Sequence, residues 1–224
     1  MIIVHHLENS RSQRILWLLE ELGVQYRVKR YARDPETKLA PATLRKVHPL
    51  GKSPVITDGD VTVAESGAII EYLVDMHGPD SGLRPSHGTE EGRQYTYWLH
   101  YAEGSAMPPL LLSLIFRKMP DAPMPFFVRP VVRGIADKVQ QSFVKPQLAL
   151  HLDFMEAELG QRTWFTGEAF TAADIQMSFP LEAAAAGGLL GAERPKLQDF
   201  VERIAERPAY QRALKKGGPY TLGF

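Results

Sequence analysis

Two short motifs in the first third of the chain carry residue types that suit recognition of a small zwitterion. Ser53-Pro54 precedes an apolar, β-rich run, and Glu65-Ser66 precedes a segment with helical spacing. Ser66 is a suitable cap for that helix, whose free backbone N–H groups favour a carboxylate. Glu65 supplies an anion for an ammonium group. The pair therefore predicts a site for the amino-acid end of a ligand, although an ordinary serine cap beside a solvated glutamate explains the same residues.

Pro54 stands where a strand is expected to begin, an unusual position for a residue that has no N–H to donate to a sheet. If the Ser53-Pro54 bond is cis, Ser53 presents its backbone N–H and C=O to an extended peptide ligand. The alternative is a trans proline that merely starts a strand. Taken alone, Pro54 favours the alternative, because only a minority of X–Pro bonds are cis.

Composition excludes several classes of function. The chain has no cysteine, so disulfides, cysteine zinc sites and a cysteine nucleophile are excluded, and any thiol chemistry must use a ligand's thiol. Lys+Arg and Asp+Glu each total 26, a balance that argues against nucleic-acid and membrane-surface binding. The histidines show no metal-site spacing, so no metal is expected. The start of the chain lacks a signal-peptide pattern, and we expect a cytoplasmic protein.

The elements that position these motifs form a mixed α/β unit. Hydrophobic periodicity predicts strands near 2–7, 26–31, 55–57 and 61–63, and helices near 14–22, 42–47 and 66–76. Gly23 suits the end of the first helix, and Asp58-Gly59-Asp60 suits a hairpin turn. The resulting order, β-α-β-α-β-β-α, is that of the thioredoxin fold.

The rest of the chain lacks strand patterning. Residues 79–88 are polar and rich in Pro and Gly, which is typical of a linker. Helical patterns then follow to the end, with a kink expected at Pro108-Pro109 and interruptions at Pro130 and Pro146. We therefore predict a thioredoxin-like α/β domain at 1–80 and an all-helical bundle at 88–224.

Residues 48–73 resemble the glutathione site of the cytosolic glutathione transferase superfamily, which is written N-P-x-G-x-V-P-x-L and then E-S-x-A-I-x-x-Y-L. His48 replaces Asn and Ser53 replaces Val, while Glu65-Ser66 through Tyr72-Leu73 is intact. Residues 170–175, Phe-Thr-Ala-Ala-Asp-Ile, are similar to the family's F-T-x-A-D-I, a structural capping box. The resemblance covers nearly the whole chain.

The resemblance implies how glutathione, the co-substrate, is held. Ser53 with Pro54 pairs with the cysteinyl backbone, and Glu65 with Ser66 holds the γ-glutamyl end. Lys52 neutralises the glycyl carboxylate, and Lys38 is a weaker candidate for the same role.

In the family, a donor at the start of the first helix stabilises the glutathione thiolate. Counting back from Gly23, the family's Ser or Cys falls at Asn9, whose amide is a possible donor to sulfur. Ser10 and, more remotely, Ser12 are alternative candidates for this catalytic role, which resembles that of bacterial and fungal members with Asn or Ser. All three are also good helix caps, so simple capping is the alternative.

The resemblance places the second-substrate site between the domains of a homodimer. Its candidate lining residues share the long helical segment that begins near residue 89, although most of that stripe is expected to be core: Trp98, Tyr101, Met107, Leu111 and Phe116. Arg129 or Arg133 is a further candidate to reach a ligand or a partner subunit, with a solvated face as the alternative.

The expected function is transfer of glutathione to an electrophilic small molecule, as in detoxification. Two alternatives remain. One is a glutathione-dependent disulfide reductase or peroxidase that uses the same site. The other is a non-catalytic binding protein with the same fold.

Overall fold

The computed structural model describes residues 1–37, 39–218 and 220–223. The N-terminal part contains strands β1 (Ile2–Leu7), β2 (Tyr26–Tyr31), β3 (Val55–Asp58) and β4 (Val61–Ala64) and helices α1 (Ser12–Leu22), α2 (Ala42–Arg45) and α3 (Ser66–His77). The strands form one sheet in the order β2-β1-β3-β4. Strand β1 is parallel to β2 and antiparallel to β3, and β3 and β4 form a hairpin. The thioredoxin-like prediction is confirmed.

The burial of each strand follows its place in the sheet. Central strand β1 is almost entirely buried. Edge strand β2 has its aromatic side chains at partly or fully buried positions and its basic side chains at exposed positions, as the sequence predicts. Gly23 ends α1 with a φ of 65°, a left-handed conformation that glycine adopts without steric cost. The chain can therefore turn back directly into β2 beside β1.

The remaining described chain is helical. Its α-helices are α4 (Glu90–Tyr101), α5 (Met107–Lys118), α6 (Arg129–Val139), α7 (Lys145–Gln161), α8 (Ala172–Ala186), α9 (Pro195–Ala205) and α10 (Pro208–Gly217). A short 3₁₀ turn, Met119–Asp121, follows α5. None of the helices within the described residues is long and apolar enough to span a bilayer.

Each of the long helical segments contains a π turn just before prolines at which a kink or an interruption was expected. Ala102–Ala106 and Gln140–Val144 are π-helical, and prolines follow each of them at Pro108-Pro109 and Pro146. A proline cannot donate to the carbonyl four residues earlier, and its ring clashes with it. Those carbonyls lie in the π turns, so the wider turn accommodates the proline without breaking the helix.

The sheet-containing and helical parts share one hydrophobic core, which runs from Ile2 to Ala213. Trp17 of α1 is fully buried, and its ring lies 5.1 Å from that of Tyr210 in α10. The capping box before α8 is formed as predicted: Thr171 and Asp174 bond reciprocally. Asp174 also accepts a hydrogen bond from the backbone N–H of Phe165 at 2.9 Å.

Candidate functional site

The loop before β3 holds Ser53 at the edge of a cleft. The Ser53-Pro54 peptide bond is cis. The Ser53 hydroxyl donates to the carbonyl of His5 at 3.0 Å and accepts from the N–H of Leu7 at 3.3 Å. These bonds fasten the loop to β1, so the backbone of Ser53 is held at a fixed position beside the start of α1.

Glu65 and Ser66 form the entry into α3. Glu65 has a φ of 70°, which is a left-handed conformation that is costly for a residue with a side chain. Ser66 is the first helical residue and does not cap the helix as expected. Its buried hydroxyl instead accepts from Arg14 Nη2 at 3.2 Å and Gln176 Nε2 at 3.4 Å. The first turn of α3 therefore has no side-chain cap, which leaves its N–H groups open to an anion.

A cavity of about 300 Å³ lies between these two motifs. It brings together five of the predicted binding residues, which are Lys52, Ser53, Pro54, Glu65 and Ser66. Its other lining residues are Arg11, His48, Leu50, Ala64 and Glu103. The sixth predicted residue, Lys38, lies outside the described residues.

A second cavity of about 250 Å³ shares Arg11, Leu50, Lys52 and Ser53 with the first, so the two are neighbouring parts of one cleft. Asn9 and Ser10 line this second part. Four basic residues also line it, and none of its described lining residues is acidic; the basic residues are Arg11, Arg33, Arg45 and Lys52. The second part is therefore suited to negative charge.

The three candidate thiol-stabilising residues occupy different environments. Asn9 is exposed, with a φ of 48°, and its Oδ1 accepts from the N–H of Thr221 at 2.7 Å. Ser10 is nearly buried, and its hydroxyl lies 2.8 Å from that of Ser12 and 3.4 Å from that of Ser53. Ser12 is fully buried, and it lines neither part of the cleft. Only Asn9 and Ser10 are therefore retained as candidates.

His6 is the buried end of the hydrogen-bond chain that runs through Ser10 and Ser12. Its Nδ1 lies 2.8 Å from the Ser12 hydroxyl. Burial, with a further contribution from Arg30, lowers the pKa of His6 to about 4, and the carbonyl of Gly217 only partly opposes this shift. His6 is therefore neutral at physiological pH and adds no positive charge to the cleft.

Two arginines of the α1 start share one carboxylate on the first π turn. Arg11 Nε lies 2.9 Å from both carboxylate oxygens of Glu103. Arg14 is fully buried and donates to Glu103, Ser66 and the carbonyl of Gln176. Burial alone would raise the pKa of Glu103, but Arg14 and Arg11 outweigh it and lower that pKa. Glu103 is therefore an anion at the Glu65 end of the cleft.

The pairing of Arg11 and Arg14 with Glu103 was not predicted from the sequence. Glu103 is 89 residues from Arg14 in the chain, so no local spacing could pair them. A signal did exist in α1: Arg14 lies one turn before the buried Trp17 and Leu18, and a charged side chain on an apolar helix face needs a buried partner. Arg45 and Phe179 were also missed as lining residues of the cleft.

Two family models match the chain. The glutathione S-transferase N-terminal domain matches residues 1–75, and the glutathione S-transferase C-terminal domain matches residues 119–208. The chain belongs to the glutathione S-transferase family. Among curated relatives, glutathione S-transferase 3 of Schizosaccharomyces pombe is 38% identical over 99% of this chain and 90% of its own. Glutathione S-transferase 1 of Saccharomyces cerevisiae is 34% identical, over 96% and 95%.

A solved glutathione S-transferase structure from Actinobacillus pleuropneumoniae superposes on the chain with a TM-score of 0.80. The two are 34% identical, and the match covers 97% of this chain and 93% of the other. The family's fold is thus present over nearly the whole length.

In this member of the glutathione S-transferase family, most of the predicted second-substrate residues lie elsewhere. Trp98, Tyr101 and Met107 are buried in the helical core, where the Trp98 ring lies 4.5 Å from that of Phe165. Leu111 and Arg129 are exposed, but neither lines the described cleft. The expectation for the three core residues is corrected: their helical spacing marks a core-facing stripe. Phe179, Leu39 and Leu50 provide the apolar wall beside Asn9 and Ser10 instead.

The described residues contain no cluster of three or more His, Cys, Asp or Glu side chains that could hold a metal ion.

Proposed function

We propose that this chain is a glutathione transferase that stabilises bound glutathione as its thiolate for attack on an electrophilic small molecule. The observation that carries the proposal is the order of groups along the cleft. Glu65 and Ser66 line only the first part of the cleft, Ser53 of the cis-proline edge and Lys52 line both parts, and Arg45 lines only the second part. That order matches the zwitterionic, amide and carboxylate parts of one extended tripeptide.

The γ-glutamyl end fits the acidic side of the cleft. Glu65 supplies the anion for the ammonium group, because the Glu103 carboxylate is already paired with Arg11 and Arg14. The uncapped first turn of α3 supplies N–H donors for the carboxylate. Membership of the glutathione S-transferase family, whose curated relatives span nearly the whole chain, supports glutathione as the co-substrate.

The sulfur then lies beside Asn9 and Ser10, at the start of α1. The helix dipole and Arg11 add positive potential there, which favours a thiolate over a thiol. His6 is neutral with a pKa of about 4, lowered mainly by burial, so it does not retain the thiol proton near neutral pH. The proton passes to solvent, and Asn9 and Ser10 act by donating hydrogen bonds to the sulfur.

The electrophile approaches from the second part of the cleft. Phe179, Leu39 and Leu50 offer apolar contact there, and Arg33 adds positive charge. Of the residues predicted from sequence, Leu111 and Arg129 remain proposals for a more distant part of this site, because both are accessible.

Family membership also suggests a cytoplasmic homodimer whose chains each comprise a glutathione domain, 1–80, and a helical domain, 88–224. Exposed apolar side chains on the helical part are consistent with a covered face between subunits, among them Phe127, Val131 and Ile135. Sedimentation velocity tests this assembly, since a homodimer has twice the mass of the chain. A monomer at micromolar concentration would contradict it.

The decisive test of the activity is a pH titration of bound glutathione, followed by thiolate absorbance. We expect the bound thiol of the wild type to ionise well below its free pKa, and Asn9→Ala or Ser10→Ala to reverse part of that shift. Thr96→Ala, on the exposed face of α4, serves as the control, because Thr96 lines neither part of the cleft and makes no bond to Asn9 or Ser10. Bound glutathione whose thiol stays protonated near neutral pH would contradict the conjugating mechanism.

A further inference from the structure

The segment that follows α10, residues 220–223, returns to the cleft. The Tyr220 hydroxyl donates to Glu182 Oε2 at 2.9 Å, and Lys118 Nζ donates to the carbonyl of Gly223 at 3.0 Å. Tyr220 and Leu222 also pack against the hydrophobic core. We call residues 220–223 the C-terminal strap, and these contacts hold it against the helical part.

The strap makes one direct bond to the site. The N–H of Thr221 donates to Asn9 Oδ1 at 2.7 Å. An asparagine amide has one acceptor atom and one donor atom, and the opposite amide orientation would set Nδ2 against this N–H, donor against donor. Thr221 therefore determines which way the Asn9 amide faces.

This orientation leaves the donor atom of Asn9 available. Within the described residues Nδ2 has no hydrogen-bond partner, and Asn9 lines the cleft beside Ser10. The backbone of Asn9 is also held, because Arg33 Nη2 donates to its carbonyl at 3.2 Å. The side chain can therefore present Nδ2 without losing the bond that its oxygen makes.

We propose that the C-terminal strap, through the backbone N–H of Thr221, orients the Asn9 amide so that Nδ2 donates to the sulfur of bound glutathione. The proposal rests on the proposed function, since it concerns the same thiolate. Thr221 is thus a positioning residue and Asn9 the residue that touches the sulfur.

Two substitutions at Thr221 distinguish the effect of its backbone N–H from the effect of its side chain. Thr221→Pro removes the N–H, whereas Thr221→Ala keeps it and is the matched control. The Thr221 side chain is exposed and lies outside the helices and strands. Because a proline at 221 also restricts the backbone of Tyr220, urea unfolding of both variants checks that the core contacts of Tyr220 are kept. We expect Thr221→Pro to raise the pKa of the bound thiol by about one unit, which is a roughly tenfold fall in its acid dissociation constant. Thr221→Ala should titrate like the wild type.

The same titration in an Asn9→Ala background tests the route of the effect. With the amide gone, Thr221→Pro should cause no further shift, because the two changes act through one interaction. Equal thiol pKa values for Thr221→Pro and Thr221→Ala, or a full proline effect without Asn9, would overturn the proposal. If the wild-type thiol ionises, these two results refute only the role of Thr221 and leave the proposed function intact. If the wild-type thiol stays protonated, the proposed function itself is refuted.

Discussion

One residue of this cleft, Glu65, has a backbone conformation that serves ligand binding and lowers the stability of the fold. Glu65 has a φ of 70°, and such a conformation costs a residue with a side chain on the order of 1–3 kcal/mol. The residue is nevertheless placed at the mouth of α3, where its carboxylate meets the cleft. The strained backbone of Glu65 thus lowers the stability of the fold but places its carboxylate at the cleft.

The variant Glu65→Gly tests whether Glu65 lowers stability and favours glutathione binding. Glycine relieves the backbone strain but adds freedom to the unfolded chain, so we expect the free energy of unfolding to stay level or rise by about 1 kcal/mol. The dissociation constant for glutathione should rise at least about tenfold, as one charge-assisted contact is worth this much. Glu65→Gln is the control, which should lose affinity without gaining stability. Urea unfolding and calorimetric titration measure the two quantities, and a clear loss of stability in Glu65→Gly would contradict the strain argument.

Asp174 gives a prediction for pH dependence. Burial raises its pKa to about 6, even though the N–H groups of Thr171 and Phe165 bond to the carboxylate. Between about pH 4 and 6 the folded protein then holds a proton that the unfolded chain has lost, so stability falls as pH rises. We expect the stability advantage of the wild type over Asp174→Asn to shrink by up to about 3 kcal/mol across this window. Urea unfolding at both pH values checks the sign. An advantage that grows with pH would mean that the hydrogen bonds outweigh burial.

The elements show where a sequence is informative about a site and where it is not. The Ser53-Pro54 and Glu65-Ser66 motifs are each local, and helical spacing with turn residues predicted the strands and helices that carry them. The π turn that carries Glu103 depends on how Pro108 meets the carbonyls before it, which periodicity cannot show. The stripe with Trp98 and Tyr101 was expected to be mostly core, and both residues are buried, but periodicity does not identify which member of such a stripe reaches a cleft.

The charge of Glu103, which lies on the first π turn, can be removed to test its contribution to stability. Glu103→Gln leaves the buried Arg14 without its adjacent carboxylate, and breaking a buried pair of this kind costs about 3 kcal/mol or more. Asp75→Asn is the control, because its bond to Arg84 is solvent-exposed and worth less than about 1 kcal/mol. Urea unfolding of both variants decides the matter. Equal losses would mean that the Arg14–Glu103 pair is no more important than a surface pair.

At the scale of the whole molecule, α1 joins the sheet to the helices. Besides the Trp17 contact with Tyr210, Arg207 of the segment before α10 donates to both carboxylate oxygens of Glu21, at 2.6 and 3.0 Å. Arg212 likewise donates to Glu20 at 2.8 Å. Contacts of this sequence separation were not predicted, because no local pattern encodes them. They imply that the two parts unfold together.

Trp17→Ala tests this coupling. Loss of a fully buried tryptophan should cost about 3–5 kcal/mol. The two tryptophans that remain, Trp98 and Trp164, both lie in the helical part, so fluorescence of the variant reports on that part alone. We expect its urea midpoint to fall together with that of the circular dichroism signal. An unchanged fluorescence midpoint would show that the helical part unfolds independently.

The C-terminal strap has a practical consequence for anyone who handles this protein. Because Thr221 contacts Asn9 and Lys118 holds Gly223, a purification tag or fusion partner joined after the strap begins close in sequence to a residue that contacts the cleft. We expect such an addition to compete with the docking of the strap and to change the measured activity. Tags at this end should therefore be removed before kinetic measurements, and a comparison of tagged with cleaved protein is itself informative about the strap.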